Sequence, residues 1–429
     1  MLIETLNLEN FKCFKQTEIE FGKITLLTGA NSSGKSSLID ALLAVMQTVK
    51  FPLYFSPNGK YKNMGGFENI SHQNKNESIK IELKFPELYF ENGSETNWGS
   101  GSWSIQNTWQ KSSKSSMPVL NFLKSEFETK KEKIISEIFL KNNKYEINSD
   151  YKNQYSGLKK EYTSLEEIGT EILHEALFGF ADDKYKVFET VDLQFNYIHS
   201  FREEPQRNYY RQAKVTNKIT PSGYGFAQQI AEWEETNPEK IQALVKYLKD
   251  LKLIHNLHTE NRNDGTFRIL VKTGEKSIAV PLTDVGYGVS KILPLLVADL
   301  QLDFDFYNIE SFKNNTKSLL AISEPEIDLH PSVQADFADY FSKQAIDNQK
   351  QYIIETHSEY LINRFRLLIA RGELQENDIK IYFFENNGVE TKTFPIQFKK
   401  DGQITGAPEN FFKTYTVDIM EIALNTFEN

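Results

Sequence analysis

Apolar and polar residues alternate along "LIETLNLENF", and "TEIEFGKITLLTG" closes on a continuous apolar run; both patterns predict strands. In "SSLIDALLAVMQTV", Leu38, Ala41, Leu42 and Val45 recur at helical spacing, so a helix follows a short loop. "YKNMGGFENI" is a glycine-broken loop and "ESIKIELKF" a further strand. From about residue 86 the pattern loosens. "ENGSETNWGSGSW" and "KSSKSSM" are rich in Gly, Ser and Asn and read as loops or short edge strands. Residues 120–180 are expected to be helical, with "NFLKSEFETKKEKIISEIFL" and "LEEIGTEILHEALFGF" as amphipathic helices. Their heptads last two or three turns, too few for a long coiled-coil arm.

"FETVDLQFNYIHSF" predicts strands returning to the main sheet, residues 226–255 helices, and "FRILVKTGEKSIAVPL" a hairpin around Gly274. After residue 281 come a helix, the buried strand "KSLLAIS", the helix "VQADFADYFSKQAI", the strand "QYIIET" and the helix "EYLINRFRLLIARG". Strands alternating with helices predict an α/β fold around a mostly parallel central sheet. "KIYFFEN" and "VETKTFPIQF" add a small sheet extension. The expected organisation is a first head segment (1–85), an inserted mainly helical lobe (86–185) and return strands with a helical and hairpin segment (186–276). A second head segment (277–370) and a C-terminal extension (371–429) complete it.

Composition narrows the class. The chain has 429 residues, 39% of them hydrophobic and 25% charged, which is globular rather than disordered. A lone cysteine, Cys13, excludes an internal disulfide framework and fits a reducing cytoplasm. "MLIETLNLEN" carries no basic segment followed by an apolar core, and no apolar run reaches the roughly 20 residues of a membrane span. A cytoplasmic protein with no membrane partner is therefore expected. The net charge of −10 exerts no global pull toward nucleic acid, and residues 121–161 hold nine lysines against seven acids, so the inserted lobe is not a basic surface.

"GANSSGKS", Gly29 to Ser36, matches G-x-x-x-x-G-K-[ST] between an apolar strand and a helix. Gly29 and Gly34 let the backbone curl so that the N–H groups of Asn31, Ser32, Ser33 and their neighbours through Ser37 face a phosphate. The helix N-terminus adds positive dipole. Lys35 is expected to reach the β- and γ-phosphates and the Ser36 hydroxyl to ligate Mg²⁺, so ATP or GTP with Mg²⁺ is the expected ligand.

Four further segments occur in a telling order: "DVGYGVSKILPLL" (284–296), "LLAISEPEIDLHP" (319–331), "YIIETHSEYLINR" (352–364) and the late "PENFFKTY". Together with the phosphate loop, over residues 1–70 and about 190–415, they resemble the ABC-type ATPases of the structural-maintenance (SMC) and RecF-like branch. The nearest resemblance is to bacterial AAA-type ATPases related to the overcoming-lysogenisation-defect proteins, in the subgroup with a C-terminal domain of unknown function; many of these belong to antiphage systems. The resemblance implies an ABC-type P-loop ATPase head with an N-terminal antiparallel β part. It implies that Glu324 polarises the attacking water and His357 contacts the γ-phosphate. Gly286 and Gly288 would lie in the turn that meets a second subunit's γ-phosphate, and Asp328 to His330 in a loop crossing the dimer interface. Gln73 is the positional candidate for the Mg²⁺-sensing glutamine. One phosphate loop per chain implies a homodimer around ATP.

The residues themselves agree in part. A base for hydrolysis belongs at the carboxyl end of a strand beside the phosphate loop, where Glu324 stands just before Pro325; Glu326 is a weaker rival. Two positions depart from the family. Gly286 replaces a serine, whose hydroxyl Ser290 could supply. Ser323 replaces the acid that holds a Mg²⁺-bound water, so it would act through that water without charge, weakening Mg²⁺ binding and slowing turnover. "FREEPQRNYYRQ" gathers Arg202, Arg207 and Arg211 with Tyr209 and Tyr210, a set suited to stacking on nucleic-acid bases, to holding a partner subunit or nucleotide, or to local surface ion pairs. The histidines and lone cysteine show no Zn²⁺ spacing. The expected function is Mg²⁺-dependent ATP hydrolysis by a homodimer controlling a separately encoded effector such as a nuclease. A DNA-binding, RecF-like repair ATPase and a non-hydrolysing oligomerisation switch are the alternatives.

Overall fold

The computed structural model describes residues 2–48, 51–92, 97–113, 116–130, 132–150, 161–168, 194–212, 218–303 and 317–408, with residues 172, 173, 176, 177 and 411. Strands β1 (Thr5–Phe11), β2 (Phe14–Glu20) and β3 (Ile24–Gly29) lead into helix α1 (Lys35–Met46) and the single turn α2 (Phe67–Ile70). Then come β4 (Ile79–Asn92), β5 (Asn97–Lys111), β6 (Pro118–Glu128), β7 (Lys133–Lys141), β8 (Lys144–Ser149) and β9 (Glu161–Tyr162). The middle of the chain holds β10 (Phe195–Ile198), β11 (Tyr209–Tyr210), α3 (Phe226–Thr236), α4 (Pro238–Asp250), β12 (Asn256–Asn261), β13 (Thr266–Lys272) and β14 (Val280–Pro281). It closes with α5 (Tyr287–Gln301), β15 (Ser318–Ser323), α6 (Pro331–Asp347), β16 (Lys350–Glu355), α7 (Glu359–Ala370), β17 (Ile379–Asn386), β18 (Thr391–Phe398) and β19 (Ile404–Thr405).

The described strands form three sheets. The central one runs β10-β15-β16-β3-β17-β18-β19, with β10, β15, β16, β3 and β17 parallel. The expected α/β class and mostly parallel sheet are therefore present. Of its strands, β10, β15, β16 and β3 are buried on both faces, as parallel strands are. Alternate residues go to opposite cores: Leu27, Leu319, Ala321 and Ile353 face one cluster, and Leu26, Leu320, Ile322 and Ile354 the other. On the first side α1 and the antiparallel sheet pack; on the second lie α3 to α7. The tail strands extend the sheet as expected, and β17 pairs directly with β3, so the boundary drawn at 371 falls inside it.

The inserted lobe is corrected. Over its described residues it is mainly strand: β4 to β9 join β2 and β1 in an eight-stranded antiparallel sheet, β2-β1-β4-β5-β6-β7-β8-β9. The segment expected as one amphipathic helix is β6, a turn and β7, paired Leu123↔Ile138 and Phe127↔Ile134. "WSIQNTW", beyond the Gly/Ser run read as a loop, is interior to the sheet: Trp103, Ile105, Asn107 and Trp109 are buried at every second residue. Of the second expected helix, Ile172, Leu173, Ala176 and Leu177 are described and helical, and its remaining positions from 169 on lie outside the described residues. The part of the expected return strands at 188–193 also lies outside them.

Candidate functional site

The loop after β3 takes its shape from glycines and from what packs on them. Gly29 (φ 138°), Ser32 (φ 61°) and Gly34 (φ 105°) are all in left-handed or related conformations. A Cβ on Gly34 would come within 2.8 Å of Cys13 Sγ and Thr391 Oγ1. Thr391 also donates its hydroxyl to the Ser33 carbonyl (2.9 Å), so the β1–β2 turn and the start of β18 clamp the loop. Ser33 Oγ is buried without a partner among the described residues. Loop residues 29–33 with His357, Phe383, Phe384 and Phe411 line a cavity of about 650 Å³, a volume usual for small-molecule sites.

Lys35 opens α1, buried, with Nζ donating to the carbonyls of Gly29 (3.1 Å) and Ala30 (2.8 Å). Burial pulls its ammonium below the usual lysine range, against the opposing pull of Glu355, Glu324 and Glu326. The Ser36 hydroxyl donates to the Glu355 carboxylate (2.8 Å to Oε1, 3.1 Å to Oε2). Glu355 ends β16 and received no role from the sequence, although it stands in the quoted "YIIETHS". The register that exposes it is tertiary: Ser323, Glu355 and Leu27 are level with one another across β15, β16 and β3. Ser323 Oγ donates to Glu355 Oε2 (3.1 Å) and lies 3.3 Å from the Tyr197 hydroxyl.

Glu324 follows in a left-handed conformation (φ 48°), unusual for a glutamate and more so before proline. Its N–H donates to the Glu355 carbonyl (2.7 Å), and Arg202 Nη2 donates to its carbonyl (3.1 Å) and to that of Ser323 (3.2 Å). Strain of roughly 1–3 kcal/mol is held by these contacts, and such strain concentrates at working residues. The Glu324 carboxylate is partly exposed, 4.0 Å from His357 Nε2. Burial, and after it Lys35, lowers the His357 imidazole from its ordinary value, favouring the neutral ring. Glu326 is turned away from the loop: its Oε1 accepts from the His357 N–H (2.6 Å) and the Thr356 hydroxyl (2.8 Å). That placement ties Glu326 to the backbone and side chain of the histidine loop.

Arg202, whose role the sequence left open between nucleic-acid contact, a partner or nucleotide, and surface ion pairs, is 1% exposed, and burial pulls its guanidinium down to about 10. Arg207 pairs with Asp284 (2.5 Å), and Arg211 pairs with Glu235 (2.9 Å) and covers the Phe267 ring. Tyr209 is buried and Tyr210 exposed. All three arginines thus have partners within the chain. Gln73 donates to the Val389 carbonyl (3.3 Å), so its amide is engaged beside the tail strands rather than with Ser36.

Gly286 precedes α5, and a Cβ there would meet no described atom within 4 Å; one built on Gly288, in the first turn of α5, would come within 3.2 Å of Leu329 Cδ2. The turn at 286–288 therefore adjoins the 328–330 loop, with Tyr287 54% exposed beside them. Ser290 is buried and donates its hydroxyl to the Tyr287 carbonyl (2.8 Å) within α5.

Residues 1–362 match the family model described as an AAA ATPase domain. No curated protein matches the chain. Among solved structures it is similar to the SMC head domain from Thermotoga maritima (14% identity, 92% of this chain and 100% of that one, TM-score 0.40). An Smc head bound to the C-winged helix domain of ScpA is also similar (15%, 93% and 99%, TM-score 0.44). So is the Smc head with an extended coiled coil bound to the C-terminal domain of ScpA, derived from Pyrococcus furiosus (13%, 98% and 99%, TM-score 0.40).

Proposed function

Because the chain belongs to the AAA ATPase domain family, matched over residues 1–362, we propose that it binds ATP with Mg²⁺ on the loop from Gly29 to Ser37 and hydrolyses it. The observation that carries the reading is the meeting of Lys35, Ser36, Glu324 and His357 at the carboxyl ends of β3, β15 and β16. In α/β sheets ligands bind at that edge.

The loop N–H groups and the positive end of α1 hold the phosphates. Lys35 leaves its two carbonyl partners for the β- and γ-oxygens, its ammonium countering charge that builds as the terminal phosphoryl departs. The Ser36 hydroxyl and the carboxylate beside it are hard oxygen donors of the kind Mg²⁺ takes, so the residues fit the ion, which when bound neutralises phosphate charge. Glu324 orients the attacking water and accepts its proton, and neutral His357 hydrogen-bonds the γ-phosphate edge.

With one phosphate loop per chain, the second face of the nucleotide is supplied by another copy, through the exposed turn at 286–288 and the adjoining 328–330 loop. This ATP-gated homodimer controls a separately encoded effector, such as a nuclease, and the resemblance of the motifs to antiphage ATPases supports a role in bacterial defence. Light scattering tests the assembly: Glu324→Gln with ATP is expected at twice the protomer mass, and Lys35→Ala with ATP at the mass of the nucleotide-free protein. An unchanged mass for Glu324→Gln counts against the sandwich. Copurification with products of the native flanking genes tests the effector, and recovery of this chain alone in ATP removes that part. The nucleic-acid reading gains no support, since Arg202, Arg207 and Arg211 are engaged within the chain.

A further inference from the structure

We propose that Glu355 has taken over the metal-side acid that Ser323 no longer supplies, moved one strand across the sheet. This rests on the ATP·Mg²⁺ reading above. Ser323 and Glu355 are directly opposite in the parallel β15–β16 pair, about one strand spacing of 4.8 Å apart. From β16 the carboxylate reaches the Ser36 hydroxyl with both oxygens, at 2.8 and 3.1 Å. At position 323 the small hydroxyl fits between Glu355 (3.1 Å) and the buried Tyr197 phenol (3.3 Å).

The other acids near the loop are committed elsewhere. Asp40 is paired with Lys12 (2.5 Å) and Lys62 (2.7 Å). Glu326 braces the His357 N–H, and Glu324 faces the His357 ring. Glu355 is 5% exposed, and its carboxylate accepts from two serine hydroxyls with no cation at ion-pair distance among the described residues. Buried charges are ordinarily paired or coordinate a metal. A divalent cation at Ser36 would complete the pairing, with Glu355 holding it directly or through one of its waters. Ser323 then orients that carboxylate, and the site keeps its full acid count.

Mn²⁺ serves as the probe, counted as free ion by electron paramagnetic resonance in the presence of a non-hydrolysable ATP analogue. Glu355→Gln is expected to weaken Mn²⁺ binding by at least about 10-fold, the scale for losing a group that orders a metal site. The swap Ser323→Asp/Glu355→Ser is expected to recover most of it. Should Glu355→Gln not fold, as seen by its melting curve, Glu355→Asp keeps the charge with a shorter reach and is expected to weaken binding by several-fold. Mn²⁺ binding equal to wild type in whichever variant folds overturns the proposal. A wild-type chain that binds the analogue neither with nor without metal sinks the ATP reading itself; one that binds it, with Glu355 variants unaltered, sinks the role of Glu355 alone.

Discussion

Glu326 stands two residues beyond Glu324, its Oε1 holding the His357 N–H while Oε2 is buried without a partner among the described residues. Burial pushes its carboxyl above the usual carboxylate range, outweighing those hydrogen bonds. A raised native pKa means that its stabilising contribution is complete below the unfolded value, near 4.5, and is lost as pH rises through the native value. Glu326→Gln keeps the acceptor and removes the charge. It should melt with wild type near pH 4 and about 1–2 °C above it at neutral pH, measured by calorimetry across that range. A difference that grows on acidification instead would show that the carboxylate is stabilised by the fold. Glu324, Ser36 and His357 were legible at this scale because the loop motif and strand ends mark them. Glu355 and Arg202 were not: the first depends on the register between β15 and β16, and the second on folding back beneath Ser323.

The parallel strands and their helices were readable because each buried strand is a continuous apolar run bounded by polar turns. The β6–β7 hairpin was misread for a definable reason. Ser125 and Ser136 occupy inward positions opposite one another, interrupting the apolar alternation, while Leu123 with Phe127 and Ile134 with Ile138 match helical spacing equally well. The serines are tolerated because each is bonded: Ser125 Oγ accepts from Trp103 Nε1 (2.8 Å), and Ser136 bonds Ser149 (2.7 Å) and Ala176. Trp103 also stacks on Phe85 at 5.2 Å. If β5 is the spine of this sheet, Trp103→Ala removes a filled core and leaves Ser125 short of a donor, costing about 3–5 kcal/mol in urea unfolding. A loss below about 1 kcal/mol would mean that the strand is not packed as described.

At the scale of the molecule, the central sheet carries the antiparallel sheet on one face and the helices on the other, and Lys35, Ser36, Glu324 and His357 meet at its carboxyl edge. No helix among the described residues is long and apolar enough to cross a membrane. The clamp of Cys13 and Thr391 on the phosphate loop ties the N-terminal hairpin and the tail strands to the same edge. Movement of the loop on nucleotide binding would be felt by both. Hydrolysis at that edge is read most directly by steady-state phosphate release from ATP in Mg²⁺. Wild type should release phosphate, and Glu324→Gln should release it about 10²–10⁴-fold more slowly, the range for removing a general base. Equal, slow release by the two would contradict the claim and leave a protein that binds nucleotide without turning it over.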